Sequence, residues 1–336
     1  MNILVFNVNW LGDVIFSVPV FRALKEAYPD AKVCCLAVPR VKDIAECCPY
    51  IDELIIYDEQ GGHRGLIGKI KLVWRLRKKY FDIAFLLHQS WTRSLLIYLA
   101  GVPVRVGYDF KKRGKLLTHK VELPEGMPHR SDHYLNVIES YGVKVKDRSC
   151  ELAVLPEAKM AADRLLAKAN IFPHDKVVMV NTGGNWDLKR WPIENFVELV
   201  KRLDQELQVK VVIPGAPKDV ERAKEIARLS RVNPVILAGK TNLKELIALM
   251  GRADLVISSD SGPMHIASCV GTDVIGIFGP TRAEVTGPRG KGRSVIAQKD
   301  TECNRDACYK LDCPDNKCMK AVTVDDVMDA ALNFLG

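Results

Sequence analysis

Short apolar runs that close on polar residues recur along the chain, separated by stretches with helical spacing. Asn2-Ile-Leu-Val-Phe-Asn7 predicts a buried strand, and Leu11-Gly12-Asp13 a turn into a helix running to about Ala27. After the breaker Pro29-Asp30, strands are expected at Ala31–Val38, Glu53–Tyr57, Asp82–Leu87 and Arg105–Tyr108, with helices such as Leu66–Tyr80 between them. Such alternation predicts a parallel sheet covered on both faces.

The second half repeats the scheme. Strands are expected at Lys176–Asn181, Val209–Pro214, Pro234–Ala238, Leu255–Ser259 and Val274–Phe278. Helices are expected at Ile193–Leu207, opened by Pro192, at Val220–Leu229 and at Asn242–Met250. Ser149 to Pro173, with a helix at Glu157–Ala169, reads as the connection between halves. The fold class is therefore α/β, with two doubly wound, Rossmann-like parallel-sheet domains facing across a cleft and ligands at the carboxyl ends of the strands.

The 336 residues suit about two domains of ~150 residues each, and the composition is that of an ordinary globular protein. No apolar stretch reaches the ~20 residues of a membrane-spanning helix. The N-terminus lacks a basic leader and Asp13 interrupts its apolar run, so a soluble cytoplasmic protein is expected. The net charge is +8, and its placement is uneven: residues 1–150 hold 23 Lys/Arg against 16 Asp/Glu, the remainder 26 against 25. The first half is thus suited to an anionic partner: nucleic acid, a phosphorylated lipid or a membrane surface.

Three loops at predicted strand ends carry candidate chemistry. In Asn9-Trp-Leu-Gly-Asp13, Gly12 permits a tight turn, and Asp13 is either a helix N-cap or a carboxylate placed to accept a proton from a hydroxyl. In Asn181-Thr-Gly-Gly-Asn185, continuing to Lys189 and Arg190, paired glycines let a ligand approach and the cations suit phosphate; a plain turn with a solvated basic pair is the alternative. Ser258-Ser-Asp-Ser-Gly-Pro-Met-His265 passes from strand straight into helix, which makes an anion site for a diphosphate unless it is an ordinary capped helix. No Walker pattern occurs, and no Gly-x-Gly-x2-Gly follows the first strand, which argues against a P-loop kinase or a simple dehydrogenase.

At these residues the chain resembles the ADP-heptose:lipopolysaccharide heptosyltransferases. The resemblance rests on Asn9-Trp-Leu-Gly-Asp13 with Ser17-Val-Pro, Gly101-Val-Pro-Val-Arg-Val-Gly107, Lys189-Arg-Trp-Pro192, Ser259-Asp-Ser-Gly-Pro-Met-His265 and Phe278-Gly-Pro-Thr281, in order over nearly the whole chain. The Trp-Leu-Gly-Asp form is closer to the heptosyltransferase II branch. The resemblance implies a GT-B fold, with residues 1–155 as the acceptor-binding domain and 172–320 as the ADP-sugar-binding domain. Residues 321–336 would form a C-terminal helix packing back across the junction. It further implies inverting, metal-independent transfer of L-glycero-D-manno-heptose from ADP-heptose to the lipopolysaccharide inner core, with no cofactor.

On this resemblance Asp13 is the general base. The leaving ADP would be stabilised by Lys189, the amides of Ser261 and Gly262, and His265. Thr182 would lie beside the diphosphate and Glu221 on the ribose; Asp260 would cap the loop or bond a heptose hydroxyl. Gly239-Lys-Thr-Asn242 would border the adenine. Gly12, Arg93 and Arg105 would lie on the acceptor side, where the basic half meets an anionic lipopolysaccharide core. The run Lys69-Ile-Lys-Leu-Val-Trp-Arg-Leu-Arg-Lys-Lys79 reads either as the solvated face of a crossover helix or as a contact with anionic lipid at the inner membrane.

Six of the ten cysteines, Cys34, Cys35, Cys47, Cys48, Cys150 and Cys269, mostly sit among apolar residues and read as small buried hydrophobes. Cys303, Cys308, Cys313 and Cys318 are evenly spaced, wider than the pairs usual in zinc knuckles; reduced thiols, a structural zinc and disulfides all stay open for them. Two alternatives accompany the leading reading: a related GT-B transferase using another nucleotide sugar, and a zinc-dependent nucleic-acid-binding protein. The second is weakened because the four cysteines lie in the near-neutral half, and nucleic acid is not expected as a partner.

Overall fold

Six strands in the first half form one wholly parallel sheet: β1 (Asn2–Phe6), β2 (Lys32–Ala37), β3 (Glu53–Ile56), β4 (Ile83–Leu86), β5 (Val104–Tyr108) and β6 (His119–Val121), in the order β3-β2-β1-β4-β5-β6. Six in the second half form another: β7 (Val177–Asn181), β8 (Lys210–Ile213), β9 (Val235–Ile236), β10 (Leu255–Ser259), β11 (Asp273–Phe278) and β12 (Ser294–Gln298), in the order β12-β11-β10-β7-β8-β9. Counted within its own half, each sheet runs 3-2-1-4-5-6, the Rossmann order. In this computed structural model residues 1–126, 128–184, 186–302, 308, 310 and 312–336 are described, and the chain divides into two units, Met1–Glu151 and Leu152–Gly336.

The central strands are buried along their whole length because helices cover both faces, which is why they read as unbroken apolar runs. In the first unit Leu4, Phe6, Leu36, Ile55 and Ala84 pack with Leu72 and Leu76 of helix Gly65–Arg77 and with Leu96 and Ile97 of helix Trp91–Leu99. In the second, Val178, Ile257 and Ile275 belong to a core that includes Trp191, whose ring meets Phe196 edge to face at 5.3 Å. Trp191 Nε1 donates to the Val322 carbonyl at 2.9 Å, and helix Val324–Leu335 packs on helix Ile193–Leu207 within this unit.

The predicted strands and helices are present, with ends shifted by one to three residues. The helix expected to run unbroken to Ala27 is two pieces, Leu11–Phe16 and Val18–Ala27, because Pro19 cannot donate to a carbonyl of the preceding turn. Edge strands β6 and β12 and helix Arg130–Glu139 were not anticipated; His119-Lys-Val121 and Ser294–Gln298 are mostly exposed and leave no buried apolar run to read.

Candidate functional site

In both sheets the winding direction reverses at the central strand pair, β1/β4 and β7/β10. Chains leaving the carboxyl ends there diverge and open a crevice where such folds bind ligands. All three loops singled out from the sequence leave a sheet at these points.

In the first unit, β1 ends at Phe6 and the chain turns through Asn7–Trp10 into helix Leu11–Phe16. Trp10 is the N-cap, without a side-chain cap bond, so Asp13 is not the cap; it lies in the first turn with its carboxylate free for other partners. Those partners come from helix Arg130–Glu139. The Tyr134 hydroxyl donates to Asp13 Oδ1 at 2.8 Å, and Arg130 Nε stands 3.7 Å from the same oxygen. Burial first, and then the charge of Asp13, raise the Tyr134 pKa well above its ordinary value, so this hydroxyl stays a donor.

Beside Asp13, Asn9 Nδ2 lies 3.5 Å from His88 Nε2 at the end of β4. Asn9 Oδ1 and His88 Nδ1 are buried without a hydrogen-bond partner among the described residues, so both remain available to a ligand. Burial, assisted by Arg93, pushes the His88 pKa down to about 4, making it a neutral imidazole near pH 7.

Arg93 is built into the unit. Its guanidinium lies over the rings of Phe6 (5.0 Å) and Tyr57 (5.7 Å), 3.3 Å from Glu59 Oε2, and donates to the Asn7 carbonyl at 3.4 Å. It braces the loop that carries Gly12 and Asp13. Arg105 is not brought to this end: near the start of β5 it donates to the carbonyls of Leu116 and Val102.

In the second unit, β7 ends at Asn181, and Thr182 follows with a buried hydroxyl that has no partner among the described residues. A Cβ on Gly183 would stand 2.7 Å from Asp219 Oδ2, so the backbone runs close to that carboxylate only because the residue is glycine. Asp219 in turn accepts from the Ala216 amide at 3.0 Å, fixing the loop after β8. Arg190 and Lys218 donate to the Gly184 carbonyl, which gathers cations around the two glycines.

Opposite, β10 passes through Asp260 into helix Gly262–Cys269, with Ser261 as N-cap and Pro263 in its first turn. Ser261 Oγ accepts from Asn181 Nδ2 at 3.0 Å and meets Ser258 Oγ at 3.1 Å, tying the ends of β7 and β10 together. Pro263 has no amide hydrogen and the Met264 amide donates to the Ser261 carbonyl at 3.1 Å, so at this helix start it is the Gly262 amide that, with the dipole, favours an anion.

Asp260 is the hub. It accepts from Lys189 Nζ at 2.6 Å, Thr281 Oγ1 at 2.7 Å and Thr286 Oγ1 at 3.1 Å, and His265 Nε2 lies 3.6 Å from its other oxygen. Burial alone would raise its pKa; His265 and the charge of Lys189 outweigh that and hold it well below the usual carboxylate range. Lys189, partly exposed above it, is thereby fixed with donors left over for a phosphate.

The structure thus brings Thr182, Lys189, Asp260, Ser261, Gly262 and His265 to the β7/β10 end, and Gly12 and Asp13 to the β1/β4 end. Glu221 stands apart on helix Val220–Ser230, exposed and paired with Lys224 at 2.9 Å. Asn242 is committed to capping helix Leu243–Arg252. Sequence reasoning did not assign Tyr134, Arg130, Asn9, His88, Thr281 or Thr286; only Asn9 and Thr281 left a trace, in Asn9-Trp-Leu-Gly-Asp13 and Phe278-Gly-Pro-Thr281. Among the described residues no group of three or more His, Cys, Asp or Glu side chains is placed to hold a metal ion. Cys318 is buried and Cys308 and Cys313 are half-buried, while Cys303 lies outside the described residues.

Comparison with known proteins gives the family and the fold. The profile of glycosyltransferase family 9 (heptosyltransferase) matches residues 69–316. Lipopolysaccharide heptosyltransferase 2 of Escherichia coli is 26% identical over 306 residues, 88% of each chain. The crystal structure of a family 9 glycosyl transferase from Veillonella parvula superposes with a TM-score of 0.86 at 25% identity, covering 99% of this chain and 97% of that one. That of ADP-heptose lipopolysaccharide heptosyltransferase II from Escherichia coli, at 23% identity and a TM-score of 0.80 over 100% and 98%, shares the fold. The two Rossmann-like units are therefore those of a GT-B glycosyltransferase, and the chain belongs to glycosyltransferase family 9, the heptosyltransferases.

Proposed function

We propose that this enzyme transfers L-glycero-D-manno-heptose from ADP-heptose to the inner core of lipopolysaccharide, with inversion and without a metal ion. The observation that carries the reading is the cluster at the β7/β10 end, where Lys189, His265 and the start of helix Gly262–Cys269 surround the site that suits a diphosphate. Family membership supplies the sugar and the acceptor class.

In this reading the acceptor hydroxyl attacks the anomeric carbon, and the bond from that carbon to the diphosphate oxygen breaks on the opposite face. Asp13 takes the hydroxyl proton; Tyr134 and Arg130 hold its carboxylate in place. The charge gathering on the departing ADP is met by Lys189, His265 and the Ser261 and Gly262 amides, with Thr182 beside the diphosphate. Asp260 orients Lys189, and the exposed Glu221 reaches the ribose. On the acceptor side Gly12 lies in the first turn of helix Leu11–Phe16, and Arg93 acts by bracing the loop that leads into it. The acceptor is anchored in lipid, so the enzyme works at the cytoplasmic face of the inner membrane. The possibility of a structural zinc rests on Cys303, Cys308, Cys313 and Cys318 and is separate from this chemistry. Membership of a transferase family favours this reading over the nucleic-acid alternative.

The test is ADP release from ADP-heptose with a heptose-bearing truncated lipopolysaccharide, comparing wild type with Asp13→Asn. Acceptor-dependent release that collapses in a still-folded variant supports both transfer and the base. Equal release from both proteins removes Asp13 as base. No release from wild type, with UDP or GDP stabilising the protein better than ADP, would move the reading to another nucleotide sugar.

A further inference from the structure

Helix Gly65–Arg77 joins β3 to β4 and buries one face, Gly68, Leu72 and Leu76, against the first sheet. Its opposite face is apolar too. Leu66, Ile70 and Trp74, spaced i, i+4, i+8, form a single outward ridge, with Ile67 beside it; they are 75%, 46%, 58% and 73% exposed respectively. Tyr80, just past the helix end, is 81% exposed. A crossover helix facing only water would carry polar side chains along that ridge.

The ridge is flanked by cations. By helical spacing Lys71, Arg75 and Lys78 lie along one side and Lys69 on the other, while Arg77 continues the ridge at its C-terminal end. No Asp or Glu occurs between Glu59 and Asp82. Among the described residues none of these five cations makes an ion pair; only the neighbouring Lys79 is engaged, with Glu53. Exposed branched and aromatic side chains beside unpaired long cations are a costly surface in water and need an occupant that is apolar below and anionic above.

We propose that this outward face docks on an anionic lipid bilayer, the helix lying in the interfacial plane with Leu66, Ile70 and Trp74 among the upper acyl chains and the lysines and arginines among the headgroups. At 13 residues the helix is too short to cross a bilayer, and its polarity fits the interface. A second copy of the chain is the poorer occupant, because face-to-face pairing would oppose five cations with five. The inference rests on the proposed reaction only for its setting, a lipid-anchored acceptor; the surface itself is independent of the sugar.

The experiment is co-sedimentation of the full chain with vesicles of phosphatidylethanolamine and phosphatidylglycerol mixed about two to one, and with phosphatidylcholine vesicles. Wild type should partition onto the anionic vesicles and much less onto the neutral ones. The triple variant Lys71→Gln/Arg75→Gln/Lys78→Gln should lose on the order of a hundredfold in partitioning. Leu66→Ser/Ile70→Ser/Trp74→Ser should lose at least about tenfold, and all six positions are exposed, so both variants keep the fold. ADP release with a detergent-dispersed acceptor should be unchanged in both. Vesicle binding that ignores lipid charge or both variants overturns the proposal, as does a wild-type dimer that Trp74→Ser makes monomeric without any vesicle binding. Failure of heptosyl transfer itself shows separately, as wild type that binds vesicles and releases no ADP.

Discussion

The Tyr134 hydroxyl donates a 2.8 Å hydrogen bond to Oδ1 of Asp13 across 121 positions of sequence. Burial and the adjacent carboxylate keep that hydroxyl protonated, so the bond has a fixed direction and the second oxygen of Asp13 is the one available to an acceptor.

Tyr134→Phe removes this bond while keeping the ring. If Asp13 is the base, kcat should fall about tenfold with the KM for ADP-heptose unchanged, against a loss of at least about a hundredfold for Asp13→Asn. A charge-assisted bond of this kind is worth about 1.5–3 kcal/mol, and because Asp13 is partly exposed, water should recover some of it; urea unfolding reads the remainder. A rise in KM for the donor with kcat intact would assign Tyr134 to sugar binding instead.

The placement of Asp13 at the β1/β4 end was legible because Gly12-Asp13 follows the first strand after a short loop, a local pattern. Tyr134 and Arg130 were not, since periodicity says nothing about which distant helix a loop will meet. The same holds for Thr281 and Thr286 on Asp260: the loop Ser259–His265 announced an anion site, but its internal partners enter from the far end of β11. Arg93 shows the converse. The resemblance put it on the acceptor side; burial over Phe6 and Tyr57 makes it a brace, and burial is set by packing that a lone arginine in sequence does not report. Both sheets were readable because their central strands are buried on both faces; the edge strands β6 and β12 were not.

Lys189 and Asp260 should be strongly coupled. Lys189→Met leaves a buried carboxylate with the two threonines and His265 but no permanent cation, and should destabilise the protein by about 2–4 kcal/mol as well as weaken ADP binding. Asp260→Asn should cost less, because the ammonium is partly solvated. The double variant should be at least about 1 kcal/mol more stable than the sum of the singles predicts, measured by denaturant unfolding. Additive effects would mean that the pair does not act as a unit.

Gly183→Ala probes the loop after β7. The added methyl would meet Asp219 at 2.7 Å and push the loop after β7 away from the loop after β8, which the Ala216–Asp219 bond fixes. The expected result is about 1–3 kcal/mol of destabilisation and a raised KM for ADP-heptose, with little change in the KM for the acceptor. Gly62→Ala, at an exposed position with no atom within 4 Å of the new Cβ, is the control and should leave both constants alone.

The first unit should be acid-sensitive well above the range where carboxylates titrate. His88 and His133 are each held down to about 4, by burial first, then by Arg93 and Arg130 respectively. In the unfolded chain both titrate near ~6.5, so between about 6.5 and 4 the unfolded state binds more protons. Stability therefore rises with pH across that window and is lost as pH falls through it, by up to about 3 kcal/mol for each imidazole. Asp260 acts in the opposite sense of charge and only at lower pH: its depressed pKa contributes stability that is present above about 4 and lost below it. His133→Phe keeps a ring stacked on Tyr108, 4.5 Å away, and removes one titrating group. Urea midpoints at pH 7 and pH 5 should differ roughly half as much in this variant as in wild type; an unchanged difference would mean that His133 is not among the groups responsible.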